Sequence, residues 1–94
     1  MPLKPDTVLR LHVRNHPGVM SHVCGLFARR AFNVEGIVCM PIEDGSRSAI
    51  LLLVYDDDRL AQLISQLRKL EDVLDIERAN EVYAVFATVG SHMQ

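Results

Sequence analysis

The order in which the hydrophobic pattern changes its period constrains the fold of this chain most. From residue 7 to 14, apolar and mostly polar residues alternate, which predicts a strand with one buried face. From 19 to 31, apolar residues recur three or four positions apart, which predicts an amphipathic helix. Segments 33–42 and 48–55 are rich in strand-forming residues and flank Asp44-Gly45, a step typical of tight hairpins. The first half therefore reads as strand, helix and hairpin.

A second helix and a fourth strand follow. The run Asp56-Asp57-Asp58 predicts a helix start, and the apolar positions behind it share one helical face until about Leu70. Residues 72–79 alternate again. The order βαββαβ predicts an α+β, ferredoxin-like fold with a four-stranded antiparallel sheet and two helices on one face.

In the C-terminal stretch 81–89, apolar residues occupy both alternating sets of positions. This pattern predicts an additional strand that is apolar on both faces. We divide the chain into a flexible arm (1–6), the main domain (7–80), this extra strand and a tail (90–94).

Composition limits the chain to one small domain. It has 94 residues, of which 49% are hydrophobic and only 23% charged. Such a high apolar fraction in a small domain predicts that one surface is buried against a partner. A homodimer is the simplest such arrangement.

Charge and hydropathy exclude several classes of partner. A net charge of −2 lacks the basic surface of a nucleic-acid-binding protein, so no nucleic acid is expected. No run approaches the ~20 apolar residues of a membrane span, so no membrane is expected either. The cytoplasm is the predicted compartment.

The chain lacks the motifs of catalysis and metal binding. No Ser-His-Asp grouping, G-x-x-x-x-G-K or G-x-G-x-x-G occurs. Cys24 and Cys39 do not form a C-x-x-C pair, and we expect both to be small buried hydrophobic residues. These absences favour a binding module over an enzyme.

The turn Asn15-His16-Pro17-Gly18 joins the first strand to the first helix and is suited to a free amino acid. The backbone amides at Gly18, Val19 and Met20 would bind a carboxylate at the positive end of the helix dipole, and Asn15 would bind the ammonium group. The alternative is a turn that only caps the helix, with His16 an ordinary surface residue.

Longer segments resemble one known family. The stretches VRNHPGVM (13–20) and HVCGLFARRAFNVEGI (22–37), with LLVYDDD (52–58), QLISQL (62–67) and KLEDV (69–73), resemble the ACT domain of acetohydroxyacid synthase (acetolactate synthase) small subunits. The resemblance covers residues 7 to 89 and is greatest to the short bacterial isozyme I subunits.

The resemblance implies a regulatory subunit without catalytic residues. A separate catalytic large subunit would carry thiamine diphosphate, Mg²⁺ and FAD, and this chain would bind none of these cofactors. It would activate the large subunit and transmit feedback inhibition by valine. The alternative is a stand-alone amino-acid sensor or a dimerisation module for another enzyme.

The resemblance also implies a valine site shared by two chains that pair side by side. One chain would contribute the turn residues and the other its second strand; the implied ligand-binding residues are Asn15, Gly18, Val19, Met20, Asn33, Val38 and Met40. For Asn33 a second role stays open, the C-cap of the first helix.

Overall fold

A computed structural model describes residues 5–94 and confirms the predicted ferredoxin-like ACT architecture. In chain order the elements are β1 (Thr7–Arg14), α1 (Val19–Arg29), β2 (Gly36–Ile42), β3 (Arg47–Val54), α2 (Leu60–Arg68), β4 (Val73–Arg78), a 3₁₀ turn (Asn80–Val82) and α3 (Tyr83–His92). Within this range no helix is both long and apolar enough to cross a membrane.

The four strands form one antiparallel sheet in the order β2-β3-β1-β4, which leaves β2 and β4 at the edges. Odd-numbered residues of β1 pair with even-numbered residues of β3, as in Leu9 with Leu52 and Leu11 with Ile50. These side chains are buried beneath α1 and α2 in the main core, which we call the helical side of the sheet.

The opposite side of the sheet, here called the open face, is mixed in character. Arg10 and Glu77 lie opposite each other on β1 and β4, and the Arg10 Nε donates to a Glu77 carboxylate oxygen at 2.9 Å. Near the other edge this face carries Val38 and Met40 of β2. The open face is therefore charged on one half and apolar on the other.

The predicted C-terminal strand over 81–89 is wrong, because these residues form the 3₁₀ turn and α3. An apolar run without polar alternation does not separate a strand from a helix. The partly buried positions are Val82, Phe86 and Gly90, four residues apart, and the intervening alanines favour a helix. The helix also runs through the first three residues of the predicted tail, 90–92.

Helix α3 packs on the open face at the end of the sheet where β2 begins. A Cβ added to Gly36 would lie 2.9 Å from two ring carbons of Phe86 and 3.4 Å from Leu53 Cβ. Glycine at position 36 thus allows the aromatic ring to lie directly on the backbone of β2.

Two smaller expectations also need correction. Cys39 is exposed because β2 is an edge strand that the helices do not cover fully, and Cys24, on α1, is only half-buried. Helix α1 ends at Arg29 with Arg30 as its C-cap, so Asn33 does not cap it. Most of the predicted arm, residues 1–4, lies outside the described range.

Candidate functional site

The turn between β1 and α1 adopts a conformation that glycine provides. Gly18 is the N-cap of α1 with φ 92° and ψ −14°, in the left-handed region where a Cβ is unfavourable. Its carbonyl accepts a hydrogen bond from the His22 amide at 3.0 Å and so begins the helix.

The first amides of α1 are available to a ligand. No side chain caps this helix, and its first turn has no acidic residue. Among residues 5–94, the Gly18 and Met20 amides have no backbone acceptor, and the Val19 amide has only a long contact of 3.5 Å to the His16 carbonyl. Donors at the positive end of a helix dipole suit a carboxylate.

Asn15 connects the turn to the β2–β3 hairpin. Its backbone amide donates to the Ser46 carbonyl at 3.0 Å, and its side-chain Nδ2 donates to the Gly45 carbonyl at 2.8 Å. With Nδ2 held in this way, the Oδ1 acceptor is left to receive a hydrogen bond from a ligand ammonium.

Asp72 lies in the loop before β4 and contacts the β1–α1 turn. The sequence analysis did not predict it as part of the candidate site. Its side chain is only 15% exposed, and one carboxylate oxygen lies 2.6 Å from His16 Nε2. A backbone hydrogen bond joins the same two segments, since the Arg14 amide donates to the Asp72 carbonyl at 2.9 Å. The pairing of Val13 with Val73 brings this loop beside the β1–α1 turn. Only the order of the strands in the sheet could have predicted that Asp72 lies near His16.

The geometry around His16 favours its charged form. Nε2 faces Asp72, and Nδ1 lies 2.7 Å from the Pro17 carbonyl, so both ring nitrogens face oxygen acceptors. Only an imidazolium donates from both nitrogens. Hydrogen bonding to Asp72, and then to the Pro17 carbonyl, raises the pKa of His16, while the same bond from His16 lowers the pKa of Asp72.

The remaining predicted site residues lie away from the turn of their own chain. Asn33 follows the other end of α1, about 16 Å along an 11-residue helix. There it lines a groove of about 520 Å³ with Phe32 and Arg59. Val38 and Met40 share the open face of the sheet with Leu51 and Ala49. The structure thus brings together Asn15, Gly18, Val19 and Met20, and places Asn33, Val38 and Met40 away from them in the same chain.

In the described part of the chain, no group of histidine, cysteine, aspartate or glutamate residues is arranged to hold a metal ion. The turn instead offers backbone N–H donors and the Asn15 amide oxygen, which are groups suited to an anion and to an ammonium group.

Comparison with known proteins decides the family. Residues 9–75 match the family model described as the AHAS small subunit-like ACT domain, where AHAS denotes acetohydroxyacid synthase. The chain is also 57% identical over 89 residues to the acetolactate synthase isozyme 1 small subunit of Escherichia coli K12, a match that covers 95% of this chain and 93% of that one. The chain belongs to the AHAS small-subunit family.

More distant members agree with this assignment. The probable acetolactate synthase small subunit of Methanothermobacter thermautotrophicus is 37% identical over 96% of this chain and 56% of its own length. The crystal structure of the Thermotoga maritima acetolactate synthase small subunit superposes with a TM-score of 0.69 at 34% identity, covering 77% of this chain and 45% of that chain.

Family membership confirms the prediction of a non-catalytic regulatory subunit. Small subunits of the AHAS family carry an ACT domain, and the match to that domain includes the whole β1–α1 turn. The matched region ends before α3, so this helix lies outside the part of the chain that the family model describes.

Proposed function

We propose that this AHAS-family chain activates a catalytic large subunit of acetolactate synthase and makes it sensitive to feedback inhibition by valine. The observation that carries the proposal is the 57% identity over nearly the full length of an isozyme 1 small subunit. The uncapped turn at Gly18 supports it, because it offers donors for the carboxylate of an amino acid.

Valine binds at the turn with its carboxylate at the Gly18 and Met20 amides. Its ammonium donates to Asn15 Oδ1, which the Gly45 contact orients. The Val19 side chain is buried and Met20 is half-buried against the core, so the turn itself is firmly placed. The rest of the pocket comes from Asn33, Val38 and Met40 of a second copy.

The second copy pairs through β2 and gives a homodimer. This strand is at the edge of the sheet, and Ile37 and Met40 are 44% and 60% exposed. An exposed edge with apolar side chains is a template for pairing with another strand. Pairing along β2 also brings the turn of one chain towards the β2 strand of its partner.

Thiamine diphosphate, Mg²⁺ and FAD belong to the large subunit in this proposal. The catalytic subunit condenses two pyruvates, or pyruvate with 2-oxobutyrate, and this chain only changes its rate. Both subunits act in the cytoplasm.

Reconstitution tests the proposal. A purified acetolactate synthase large subunit is assayed for acetolactate formation alone, with this chain, and with this chain plus valine. We expect a higher rate with the chain, a fall on addition of valine, and no activity from the chain alone. An unchanged rate with the chain present would contradict the proposal.

A further inference from the structure

Helix α3 has an apolar stripe that is longer than the sheet beneath it. Val82, Val85, Phe86, Val89 and Met93 are spaced by three or four residues and therefore share one side of the helix. Phe86 packs this side on Gly36, whereas Val89 and Met93 are 45% and 80% exposed.

The direction of α3 explains why its last turn is uncovered. The segment leaves the sheet at Ala79, whose amide donates to the Val8 carbonyl of β1, and Phe86 meets β2 two strands away. Two strands span about 9.6 Å, which matches the ~9 Å rise of six helical residues. Beyond Phe86 the helix advances by about another 10 Å up to Met93, past the edge of its own sheet.

An antiparallel partner strand would lie beneath this overhang. If β2 pairs with β2 of a second copy, the Gly36 end of one strand lies beside the Ile42 end of the other, and the two open faces become continuous. The open-face residues at the Ile42 end are Ile42 and Met40, and Met40 is 60% exposed. Two uncovered apolar surfaces therefore meet.

We propose that α3 lies across the dimer boundary, with Val89 and Met93 packed on the open face of the partner subunit around the partner's Met40. The occupant of this helix face is thus a second copy of the chain. The inference rests on the β2-paired homodimer of the proposed function and adds an interface on the open face of the sheet, which includes Met40, a residue also proposed for the valine pocket.

Cross-linking between two different variants tests the contact directly. In a full-length chain with Cys24→Ser and Cys39→Ser, a Val89→Cys protein is mixed with a Met40→Cys protein and treated with a short bismaleimide. Because each protein has one thiol, a product joining the two must cross between chains. The matched control replaces Val89→Cys by Ser91→Cys, at an exposed position about 160° around α3 from Val89. We expect at least fivefold more heterodimer from the Val89 mixture than from the control mixture.

A charge at the same position gives a second, independent readout. Val89→Glu places a carboxylate in the proposed contact, so the dimer dissociation constant from concentration-dependent light scattering should rise by roughly tenfold or more. Ser91→Glu carries the same charge on the opposite side of the helix and should leave the dimer dissociation constant unchanged.

The outcomes separate this inference from the proposed function. A wild-type dimer that shows equal cross-linking from both mixtures and no effect of Val89→Glu overturns the α3 contact alone. A chain that stays monomeric overturns both the contact and the shared site. A Val89→Glu variant that dimerises normally but no longer activates the large subunit also overturns the inference, because α3 would then contact the catalytic subunit.

Discussion

At the scale of single residues, the backbone and the side chains of the β1–α1 turn have different roles. Gly18 supplies a left-handed conformation and leaves the first amides of α1 open to a ligand. Asn15 is tied to the hairpin through Gly45, and His16 is tied to the loop before β4 through Asp72. Two separate loops thus fix the position of the turn.

Asn15 is expected to contribute directly to valine binding. Asn15→Ala removes one or two hydrogen bonds to a charged ligand, each worth about 1.5 to 3 kcal/mol. Calorimetry should show valine affinity weakened by roughly tenfold or more. Asp58→Ala, which removes an exposed side chain at the other end of the sheet, should bind valine like the wild type. Equal affinity in all three proteins would mean that Asn15 does not contact the ligand.

The His16–Asp72 pair makes stability depend on pH with a defined sign. The raised pKa of His16 gives a contribution that is complete below its ordinary value of 6.5 and is lost as pH rises through the folded value. The lowered pKa of Asp72 gives a contribution present above 3.8 and lost as pH falls. The pair therefore stabilises the fold most between about pH 4 and 6.5.

Asp72→Asn should lower the pKa of His16 towards its ordinary value in an NMR titration. The free energy of unfolding in urea should differ more between wild type and Asp72→Asn at pH 5.5 than at pH 8.5, because only protonated His16 forms the ion pair. His22→Gln is the control, since His22 lies 3.8 Å from Asp72 and should change this difference little. A pH-independent difference would show that the ion pair adds nothing.

The two kinds of turn residue differ in how far the sequence could identify them. Asn15 and Gly18 belong to one local motif, and their positions follow from the strand, the turn and the helix around them. Asp72 comes from a distant loop, and only the pairing of β4 beside β1 brings it to His16. A contact that depends on the order of strands in the sheet cannot be predicted from local residue spacing.

At the scale of elements, periodicity predicted β1, β4 and the first two helices, because each has one buried and one exposed face. β2 and β3 were predicted from strand-forming residues on either side of Asp44-Gly45. β1 is found at Thr7–Arg14, and the hairpin turn lies where Asp44-Gly45 placed it, with Gly45 at φ 91°. The strand predicted at 81–89 was wrong because α3 is apolar on nearly all sides. Its contact with Gly36 could not be read from either segment alone.

The packing of α3 on β2 depends on the absence of a side chain at position 36. Gly36→Ala should destabilise the protein by about 1 to 3 kcal/mol, since its Cβ would clash with the Phe86 ring. In a Phe86→Ala background the same change should cost much less, so urea unfolding of the four proteins should show a coupling of about 0.5 to 3 kcal/mol. Strictly additive effects of the two substitutions on the free energy of unfolding would contradict a contact between the Phe86 ring and Gly36.

At the scale of the whole molecule, one chain holds half of the proposed site. The turn lies at one end of α1 and Asn33 beyond the other, so a single copy does not bring the predicted residues together. A site shared between copies links valine binding to the arrangement of the dimer. Because coupling between sites is a free energy that acts in both directions, valine changes the large subunit only if the large subunit distinguishes the dimer with valine from the dimer without it.

The most direct test is a valine titration of the synthase reconstituted from the large subunit and this chain. Gly18→Asp puts a carboxylate where the ligand carboxylate should bind, and Asp tolerates the left-handed conformation better than most residues. Gly18→Asn is the control of equal size without the charge. We predict that Gly18→Asp still activates the large subunit but needs at least about tenfold more valine for half-inhibition than Gly18→Asn does. Equal sensitivity of wild type and both variants to valine would contradict a ligand site at this turn.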